Sequence, residues 1–570
     1  MSHSRSKFST LTIFIFCFTV QYSLSCLTVC AEDWPRFRGP AGMGVTADST
    51  LPTQWSPNAN LGWKTELPGP GASSPIIVGN KTFVTCYSGY GVDQANPGEM
   101  ENLTRHLICA DVETGKILWQ KDIKAVLPED PYTGVGVPAH GYASHTPVSD
   151  GKHVYAFLGK SGVYAYDMNG EEVWNADVGK ESDPTKWGSS SSPIIYKNIV
   201  IVTASAESQA IVGLDKTTGK ELWRQEAGGL DGMWGTPTLV KVDDNRTDIV
   251  MCVAKELWGL DPENGKLRWF ADATGAQHAY SSIVANDNRV FAFTGRGGGS
   301  IALDVGSSGD ISQTNTVWTG RDNASFASPV KHGSKLYVVA RGIVNVVDAE
   351  TGENVKKMRL KGAKKTGGRF GTLDYPSPIV INDKMFYMNG SGQMYVFELG
   401  DELKQVAVNQ VTNDKEVFWG SPAVSNGRMV IRSSKHLYCV KDKGEEVSEE
   451  DTANAQGDLT EEEEAPQQGN RRRFDPMEAF TRMDTDKDEI LTEEEYGESP
   501  MADRLKTLDK DESGGISKEE FRTGISSLLS RGGGRRGGGA GGGNGRVRED
   551  KRPDRPQRPK PAFEAAKAEG

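Results

Sequence analysis

The feature that most constrains the fold is a phrase that recurs along the chain. Each copy has an apolar strand, a turn that begins with Asp and ends with Gly, and a further strand that carries a tryptophan. The clearest copies span residues 109–119, 166–174, 214–223 and 260–269. A repeat of this kind predicts an array of similar supersecondary units rather than one irregular domain.

The repeats can be counted from their first strands, which usually open with Ser-Pro or Thr-Pro before an apolar run. Eight such strands begin at Pro75, Pro147, Pro193, Pro237, Ile283, Pro329, Pro378 and Pro422. Most are 44 to 49 residues apart, which suits four short strands. In the third repeat we expect strands at 192–196, 199–204, 210–215 and 221–224, which are rich in β-branched residues. The sequence predicts an all-β, eight-bladed β-propeller.

The ends of the array predict how the ring closes. The eighth repeat stops after its third strand, at residues 436–442, and lacks a fourth. Residues 61–67, before the first repeat, resemble an isolated fourth strand and contain Trp63. We therefore expect the N-terminal strand to complete blade eight, since a closed ring leaves no exposed sheet edges.

The first repeat is the longest, with 72 residues between Pro75 and Pro147. The excess lies in two loops, at residues 89–105 and 125–141. Loops on the face of a rigid scaffold are where binding residues usually lie. The recurring turn Asp residues are instead expected to bond backbone amides, and the turn Gly residues to adopt positive φ.

These repeats resemble the pyrroloquinoline-quinone (PQQ) repeat superfamily, whose eight-bladed propellers carry a "tryptophan-docking" fourth strand. The resemblance covers about residues 33–442, and residues 356–358 and 405–407 depart from it because they lack the tryptophan. The opening residues 33–40 resemble exported PQQ-like propellers of planctomycete-type bacteria. The matching tryptophans are Trp63, Trp119, Trp174, Trp223, Trp269 and Trp318. The superfamily implies either a quinoprotein dehydrogenase or a cofactor-free scaffold like BamB.

The N-terminus predicts export. Arg5 and Lys7 precede an apolar run at residues 11–20, and residues 29–31 offer a small-residue cleavage site, so residues 1–31 are predicted to be a signal peptide. Lipidation at Cys26 or Cys30 is a weaker alternative. We expect the mature protein in the periplasm or cell envelope, without a transmembrane span.

Charge and cysteine content exclude few functions. A net charge of −12 gives no reason to expect a nucleic acid or an anionic membrane as partner. Four cysteines remain after removal of the signal peptide: Cys86, Cys109, Cys252 and Cys439. We expect them to be buried small residues, and a Cys86–Cys109 disulfide is the alternative.

The predicted propeller spans residues 32–442, and the composition changes after it. Residues 443–470 are acidic and poor in large apolar side chains, which predicts a disordered linker. Residues 531–570 are rich in Gly, Arg and Pro and predict a disordered tail. Between them, residues 471–530 predict a small α-helical domain.

That domain contains two twelve-residue loops with the spacing of EF-hand calcium ligands. Calcium requires six to eight hard oxygen ligands, and positions 1, 3, 5, 7, 9 and 12 supply them, with position 7 using its carbonyl. Glu489 stands at position 6 of the first loop, where Gly is usual, and is expected to weaken that loop by strain. The predicted Ca²⁺ ligands are Asp484, Asp486, Asp488, Ile490, Thr492 and Glu495, and then Asp509, Asp511, Ser513, Gly515, Ser517 and Glu520.

The residues do not favour catalysis in the propeller. Quinoprotein alcohol dehydrogenases carry a vicinal Cys-Cys pair, which this chain lacks, so PQQ is possible but not favoured. His140, His145 and His278 offer a base or metal site without an evident third ligand, and Arg296 offers an anion contact. Aromatic residues precede most first strands and suit a planar ligand, a polysaccharide or channel packing: Tyr142, Trp187, Trp234, Tyr280, Phe326, Tyr375 and Trp419.

The sequence therefore predicts an exported calcium-binding propeller that is a non-catalytic scaffold or binding module for envelope proteins or polymers. One alternative is a PQQ-dependent quinoprotein oxidoreductase. The other is a polysaccharide-binding module.

Overall fold

The computed structural model separates the chain into two compact units, with the boundary after residue 459. The predicted signal peptide at residues 1–31, Arg296 and the predicted tail at 531–570 lie outside the described residues. The structure describes residues 32–47, 51–93, 95–133, 136–275, 278–295, 298–364, 375–456, 480–481, 483–486, 488–496, 505–511 and 513–523.

The first unit is an eight-bladed propeller of antiparallel four-stranded sheets, as the repeats predict. Blade 1 contains Ile76–Val78, Lys81–Ser88, Thr104–Asp111 and Ile117–Lys124. Blade 2 contains Val148–Ser149, His153–Phe157, Val163–Asp167 and Glu172–Ala176. Blade 3 contains Ile194–Tyr196, Ile199–Ala204, Ala210–Asp215 and Glu221–Glu226. Blade 4 contains Thr238–Lys241, Thr247–Val253, Glu256–Leu260 and Leu267–Asp272, extended by Gly309–Asp310.

The remaining four blades repeat this arrangement. Blade 5 contains Val284–Asn286, Arg289–Phe293, Ser300–Asp304 and Thr316–Gly320. Blade 6 contains Val330–His332, Lys335–Ala340, Ile343–Asp348 and Asn354–Arg359. Blade 7 contains Ile379–Ile381, Lys384–Met388, Met394–Leu399 and Leu403–Asn409, extended by Val45–Thr46. Blade 8 contains Ala423–Ser425, Arg428–Arg432, His436–Lys441 and, from the N-terminus, Leu61–Glu66.

The N-terminal strand closes the ring as expected. Leu61–Glu66 pairs antiparallel with His436–Lys441, and Trp63 lies opposite Cys439. One sheet therefore contains both ends of the array. Opening the ring would expose two long strand edges.

A second closure explains why each repeat opens with Ser or Thr. In every blade, the backbone amide of this residue donates to the side-chain hydroxyl of its counterpart in the next blade, at 2.8 to 3.0 Å. The eight residues are all buried, and the chain of bonds returns to its start. They are Ser74, Thr146, Ser192, Thr236, Ser282, Ser328, Ser377 and Ser421.

The recurring Asp-to-Gly turn joins neighbouring blades. Asp215 accepts hydrogen bonds from the amides of Thr217 and Thr218, and Gly219 follows with φ of +72°. The indole of Trp174, from the preceding blade, lies on Gly219 and donates from Nε1 to the carbonyl of Lys216 at 3.0 Å. Trp63, Trp119 and Trp318 make the same indole-to-carbonyl bond to the following blade. Trp269 departs from it and donates to Asp248 of its own blade.

The segment before the closing strand also crosses several blades. Trp34 bridges to Ile77 of blade 1, and Val45 pairs in parallel with Val380 of blade 7. Between them, Arg36 and Arg38 donate to the carbonyls of the prolines that open blades 4 and 6. The motif at residues 33–40 thus connects distant blades.

The linker expectation is wrong for residues 443–456. Ser448 caps a helix at Glu449–Ala455, and this helix packs on the propeller. Asp451 accepts from the Ser56 hydroxyl at 2.9 Å, and Gln393 donates to the carbonyl of Ala455 at 2.8 Å. Acidic composition did not prevent order because the propeller supplies hydrogen-bond donors to the carboxylates. The rest of 443–470 lies outside the described residues.

The prediction that the cysteines are buried small residues is confirmed. Cys86, Cys109, Cys252 and Cys439 are buried and free. Cys86 lies opposite His106 and Cys109 lies opposite Phe83, so the two do not face each other across strands. Short helices complete this unit, at Met100–Asn102, Val137–His140, Gly159–Ser161 and Gly228–Leu230.

The second unit has a small core of its own. Ile490–Thr492 pairs antiparallel with Gly515–Ser517, and Glu493–Tyr496 and Lys506–Leu508 form short helices. Its buried residues are Phe480, Leu491, Tyr496, Leu505, Leu508, Ile516 and Phe521. In the part of the chain that the structure describes, no helix is long and apolar enough to span a membrane.

Candidate functional site

The first calcium-type loop brings three of its predicted ligands together. Carboxylate oxygens of Asp484, Asp486 and Asp488 lie within 4.8 Å of one another. Glu495, at position 12, closes the loop: its Oε1 accepts from the amide of Thr485 at 2.8 Å, and its Oε2 accepts from that of Thr492 at 3.0 Å. The two ends of the loop are thereby held together around the acidic cluster.

The second loop repeats this arrangement. Carboxylate oxygens of Asp509, Asp511 and Glu520 lie within 4.8 Å of one another. Glu520 accepts from the amides of Lys510 and Ser517, each at 2.9 Å. Ser513 donates its hydroxyl to the carbonyl of Gly515 at 3.1 Å, so these two predicted ligands also lie side by side.

Hydrogen bonds keep the position-12 carboxylates ionised. The amides of Thr492 and Thr485 lower the pKa of Glu495 to about 2. The hydroxyl and amide of Ser517, with the amide of Lys510, lower that of Glu520 to about 2. Both side chains are therefore anionic oxygen donors at neutral pH, as a hard divalent cation requires.

The two loops are joined back to back at position 8. Leu491 lies opposite Ile516 in the short antiparallel pair, and both side chains are fully buried. Ile490 and Gly515, whose carbonyls are predicted ligands, flank this pair. One loop cannot rearrange without disturbing the other.

Position 6 has a different residue in each loop but a similar backbone conformation. Glu489 has φ of +68° and Gly514 has φ of +90°. A non-glycine residue in this region costs about 1–2 kcal/mol. The first loop therefore has the same turn as the second, with backbone strain at Glu489. The donor set, entirely oxygen, fits Ca²⁺ better than softer metals.

On the propeller, the aromatic residues before the first strands form a continuous arc. Ring centroids are 5.7 Å apart for Trp187 and Trp234, 5.2 Å for Trp234 and Tyr280, 5.0 Å for Tyr280 and Phe326, and 4.7 Å for Phe326 and Tyr375. All five are half-buried. Trp234 and Tyr280 each contact a ring on either side, so a flat quinone would have to separate rings that already pack together.

The two long loops of the first repeat help to build a polar pocket over blades 1 to 3. It is lined by Arg105, Glu129, Asp130, His140, Tyr142, His145, Lys160, Glu181, Trp187, Ser189 and Glu207, with six smaller or apolar residues. Only the two histidines and the aromatic residues were candidates from sequence. The length of the loops was the signal for the rest, because the charged residues are far apart along the chain.

The predicted histidine site does not have the geometry of a metal centre. His140 bonds the hydroxyl of Ser144 at 2.6 Å and the carbonyl of Trp187 at 2.8 Å. Burial lowers the pKa of His145 to about 3, with Arg105 and His140 acting in the same direction. Both imidazoles are neutral at pH 7. Among the described residues, the clusters able to hold a metal are the two acidic loops. His278 instead lies between Trp187, Trp234 and Tyr280.

Comparisons with known proteins support the repeat assignment. Residues 103–358 match the family model described as outer membrane protein assembly factor BamB. Tetrathionate hydrolase of Acidithiobacillus ferrooxidans is 20% identical over 393 residues, covering 56% of this chain and 74% of that protein.

Two solved structures are similar to this chain at low identity. BamB from Moraxella catarrhalis is 14% identical, with a TM-score of 0.46, and covers 68% of this chain and 98% of its own. A europium-containing methanol dehydrogenase is 12% identical, with a TM-score of 0.44, and covers 70% and 89%. The chain is thus an eight-bladed propeller whose residues 103–358 are similar to the BamB family model.

Proposed function

We propose that this protein is an exported, calcium-binding propeller that serves as a non-catalytic scaffold or binding module in the cell envelope. The observation that carries the calcium part is the pair of acidic loops joined through Leu491 and Ile516. Each loop already has its position-12 carboxylate bonded to the backbone at the loop's start.

Calcium would supply charge compensation in this unit. The backbone amide of Asp488 donates a hydrogen bond that favours a lower pKa for Asp486. The pKa of Asp486 is nevertheless raised, and the negative charges of Asp488, Glu495 and Asp484 contribute to this. A divalent cation neutralises that repulsion. We therefore expect calcium to stabilise the second unit.

Calorimetric titration of the full chain with Ca²⁺ tests this proposal. We expect two binding events, with the first-loop event lost in Glu495→Gln and the second in Glu520→Gln. Glu494→Gln is the matched control, because it removes an equal charge from the same helix without touching a predicted ligand. No calcium heat in the full chain would refute calcium binding.

The scaffold part rests on the propeller itself and on the family match to an assembly factor. The ring is closed twice, by the N-terminal strand in blade 8 and by the ring of hydrogen bonds to Ser and Thr hydroxyls. These two closures make the propeller a rigid platform for other proteins or polymers. The decisive measurement is mass spectrometry of small molecules released by denaturing protein from its native host. A stoichiometric quinone would contradict the scaffold and favour the PQQ-dependent oxidoreductase.

The aromatic arc supports one second candidate, polysaccharide binding. Half-buried rings on five consecutive blades suit the apolar faces of sugars. A glycan-array signal that is lost in Trp187→Ala and Trp234→Ala would establish it. An unchanged signal in both variants, or none in the native protein, would exclude the arc as a glycan site.

A further inference from the structure

The pocket over blades 1 to 3 encloses a real cavity. Its volume is about 30 Å³, and it opens on one side to solvent. A single water needs about 10–15 Å³, so the cavity admits one or two water-sized groups. It is separate from the aromatic arc except at Trp187, and it belongs to the first unit alone.

The cations of the pocket already have partners. Arg105 donates to Glu129 at 2.6 Å, and both side chains are only 4% exposed. Lys160 donates to the Ser182 hydroxyl at 2.7 Å and to the carbonyl of Pro128 at 2.9 Å, with Asp130 at 4.0 Å. Both positive charges are thereby engaged with one carboxylate each.

Glu207 is the carboxylate that remains. It is 3% exposed, and its Oε1 accepts from the Ser189 hydroxyl at 2.5 Å. Its Oε2 is buried and has no hydrogen-bond partner among the described residues. The Ser189 oxygen in turn lies 2.9 Å from His145 Nε2. Since the serine proton goes to Glu207, His145 donates from Nε2 and stays neutral.

The buried charges therefore do not balance. Arg105 and Lys160 face three carboxylates, those of Glu129, Asp130 and Glu207. Both histidines are neutral, and the exposed Glu181 is solvated. Burial raises the pKa of Glu207 to about 7, even though the Ser189 bond and Arg105 oppose it. A buried carboxylate with a free oxygen is stable only when it holds a proton or a cation.

We propose that this cavity is a binding site for a primary ammonium group, which takes the place of the proton on Glu207. An ammonium head is the size of a water molecule and donates three hydrogen bonds, so it fits the cavity beside the Glu207 carboxylate. Trp187 and Tyr142 line the same cavity, and aromatic faces favour a desolvated cation. Because the cavity is open to solvent on one side, the rest of an amine can extend into the solvent.

Titration calorimetry with methylammonium chloride tests this site in the full, calcium-saturated chain. Tetramethylammonium chloride, which has no N–H donor, keeps the ionic strength constant. We expect saturable binding whose affinity rises about tenfold from pH 6 to pH 8, as Glu207 loses its proton. Methanol, the neutral analogue, should not bind.

Three variants make the test specific. Glu207→Gln should abolish methylammonium binding, whereas Glu181→Gln, which removes an exposed charge from the same lining, should retain it. Ser189→Ala removes a bond that lowers the pKa of Glu207, so it should move the pH midpoint of binding upward. Saturable binding that survives Glu207→Gln, or no binding at any pH, would overturn the proposal.

The same chemistry has two natural sources, a free amine and a lysine side chain of another protein. Nα-acetyl-lysine methylamide distinguishes them. Binding of this compound, lost in Glu207→Gln, would assign the site to lysine side chains. Binding of methylammonium alone would restrict it to small amines. Calcium binding by the second unit does not depend on either result.

Discussion

The docking of each tryptophan on the next blade can be tested at a single glycine. Gly219 has φ of +72°, and a Cβ added there would lie 2.6 Å from Cε3 of Trp174. Gly342 has φ of +73°, and a Cβ added there would meet nothing within 4 Å. Gly219→Ala and Gly342→Ala therefore impose the same backbone strain but differ in contact with a neighbouring blade.

The magnitudes follow from that difference. An alanine in this φ region costs about 1–2 kcal/mol, partly offset by about 0.4–1 kcal/mol from the stiffer unfolded chain, in both variants. Only at Gly219 must the buried indole of Trp174 also move, and such overpacking costs a further 1–3 kcal/mol or so. Displacing the indole also weakens its bond to Lys216, worth about 1 kcal/mol.

Urea unfolding followed by near-ultraviolet circular dichroism measures both variants. We expect Gly342→Ala to lose about 1 kcal/mol, and Gly219→Ala to be less stable than it by about 2–4 kcal/mol, the sum of the overpacking and hydrogen-bond costs. Gly265→Ala, whose Cβ would lie 2.5 Å from Trp223, should show only the overpacking cost of about 1–3 kcal/mol, because Trp223 Nε1 has no hydrogen-bond partner among the described residues. Equal losses at Gly219 and Gly342 would refute tryptophan docking as the contact that fixes neighbouring blades.

Three other predictions address the loops, the ring and the pocket. Glu489→Gly should raise the calcium affinity of the first loop several-fold in calorimetry, because it removes about 1 kcal/mol of strain; unchanged affinity would contradict this. Ser421→Ala leaves the buried amide of Ser377 without its acceptor and should lower the urea midpoint by the equivalent of about 1–3 kcal/mol; no loss would show that the hydroxyl ring is dispensable. Because the folded-state pKa of Glu207 is raised to about 7, the native state binds the extra proton, and its contribution to stability is lost as pH rises from about 4.5 to 7. Glu207→Gln should abolish that part of the slope in unfolding measured across this range, and an unchanged slope would contradict it.

The architecture could be predicted from the sequence because the same local pattern of strands and turns recurs in each blade. In blade 3 the four expected strands and the observed ones agree to within two residues at each end. The closing strand at Leu61–Glu66 was also predictable, since its tryptophan marks it as a fourth strand. The Ser/Thr anchors were visible as a pattern, but their hydroxyl ring appears only when eight blades meet around one axis.

The polar pocket was not predictable because its residues come together through topology rather than spacing. Glu129 lies in a long loop, Lys160 in the second blade and Glu207 in the third. No local pattern marks a carboxylate as buried. The ordered helix at Glu449–Ala455 was missed for a related reason: its partners, Ser56 and Gln393, are distant in sequence.

The position of the pocket follows from a difference between blades. Three residues before the Pro or Ile that anchors each repeat, blades 4 to 8 have the aromatic residues Trp234, Tyr280, Phe326, Tyr375 and Trp419, while blades 1 to 3 have Ala72, Ser144 and Ser190. Ser144 lines the polar pocket, where its small side chain leaves room. The second long loop of the first repeat contributes Glu129 and Asp130 to the same pocket. The ring thus divides into an aromatic side that packs on itself and a polar side that keeps one carboxylate unsatisfied, and the polar side is where we expect a small ligand to bind.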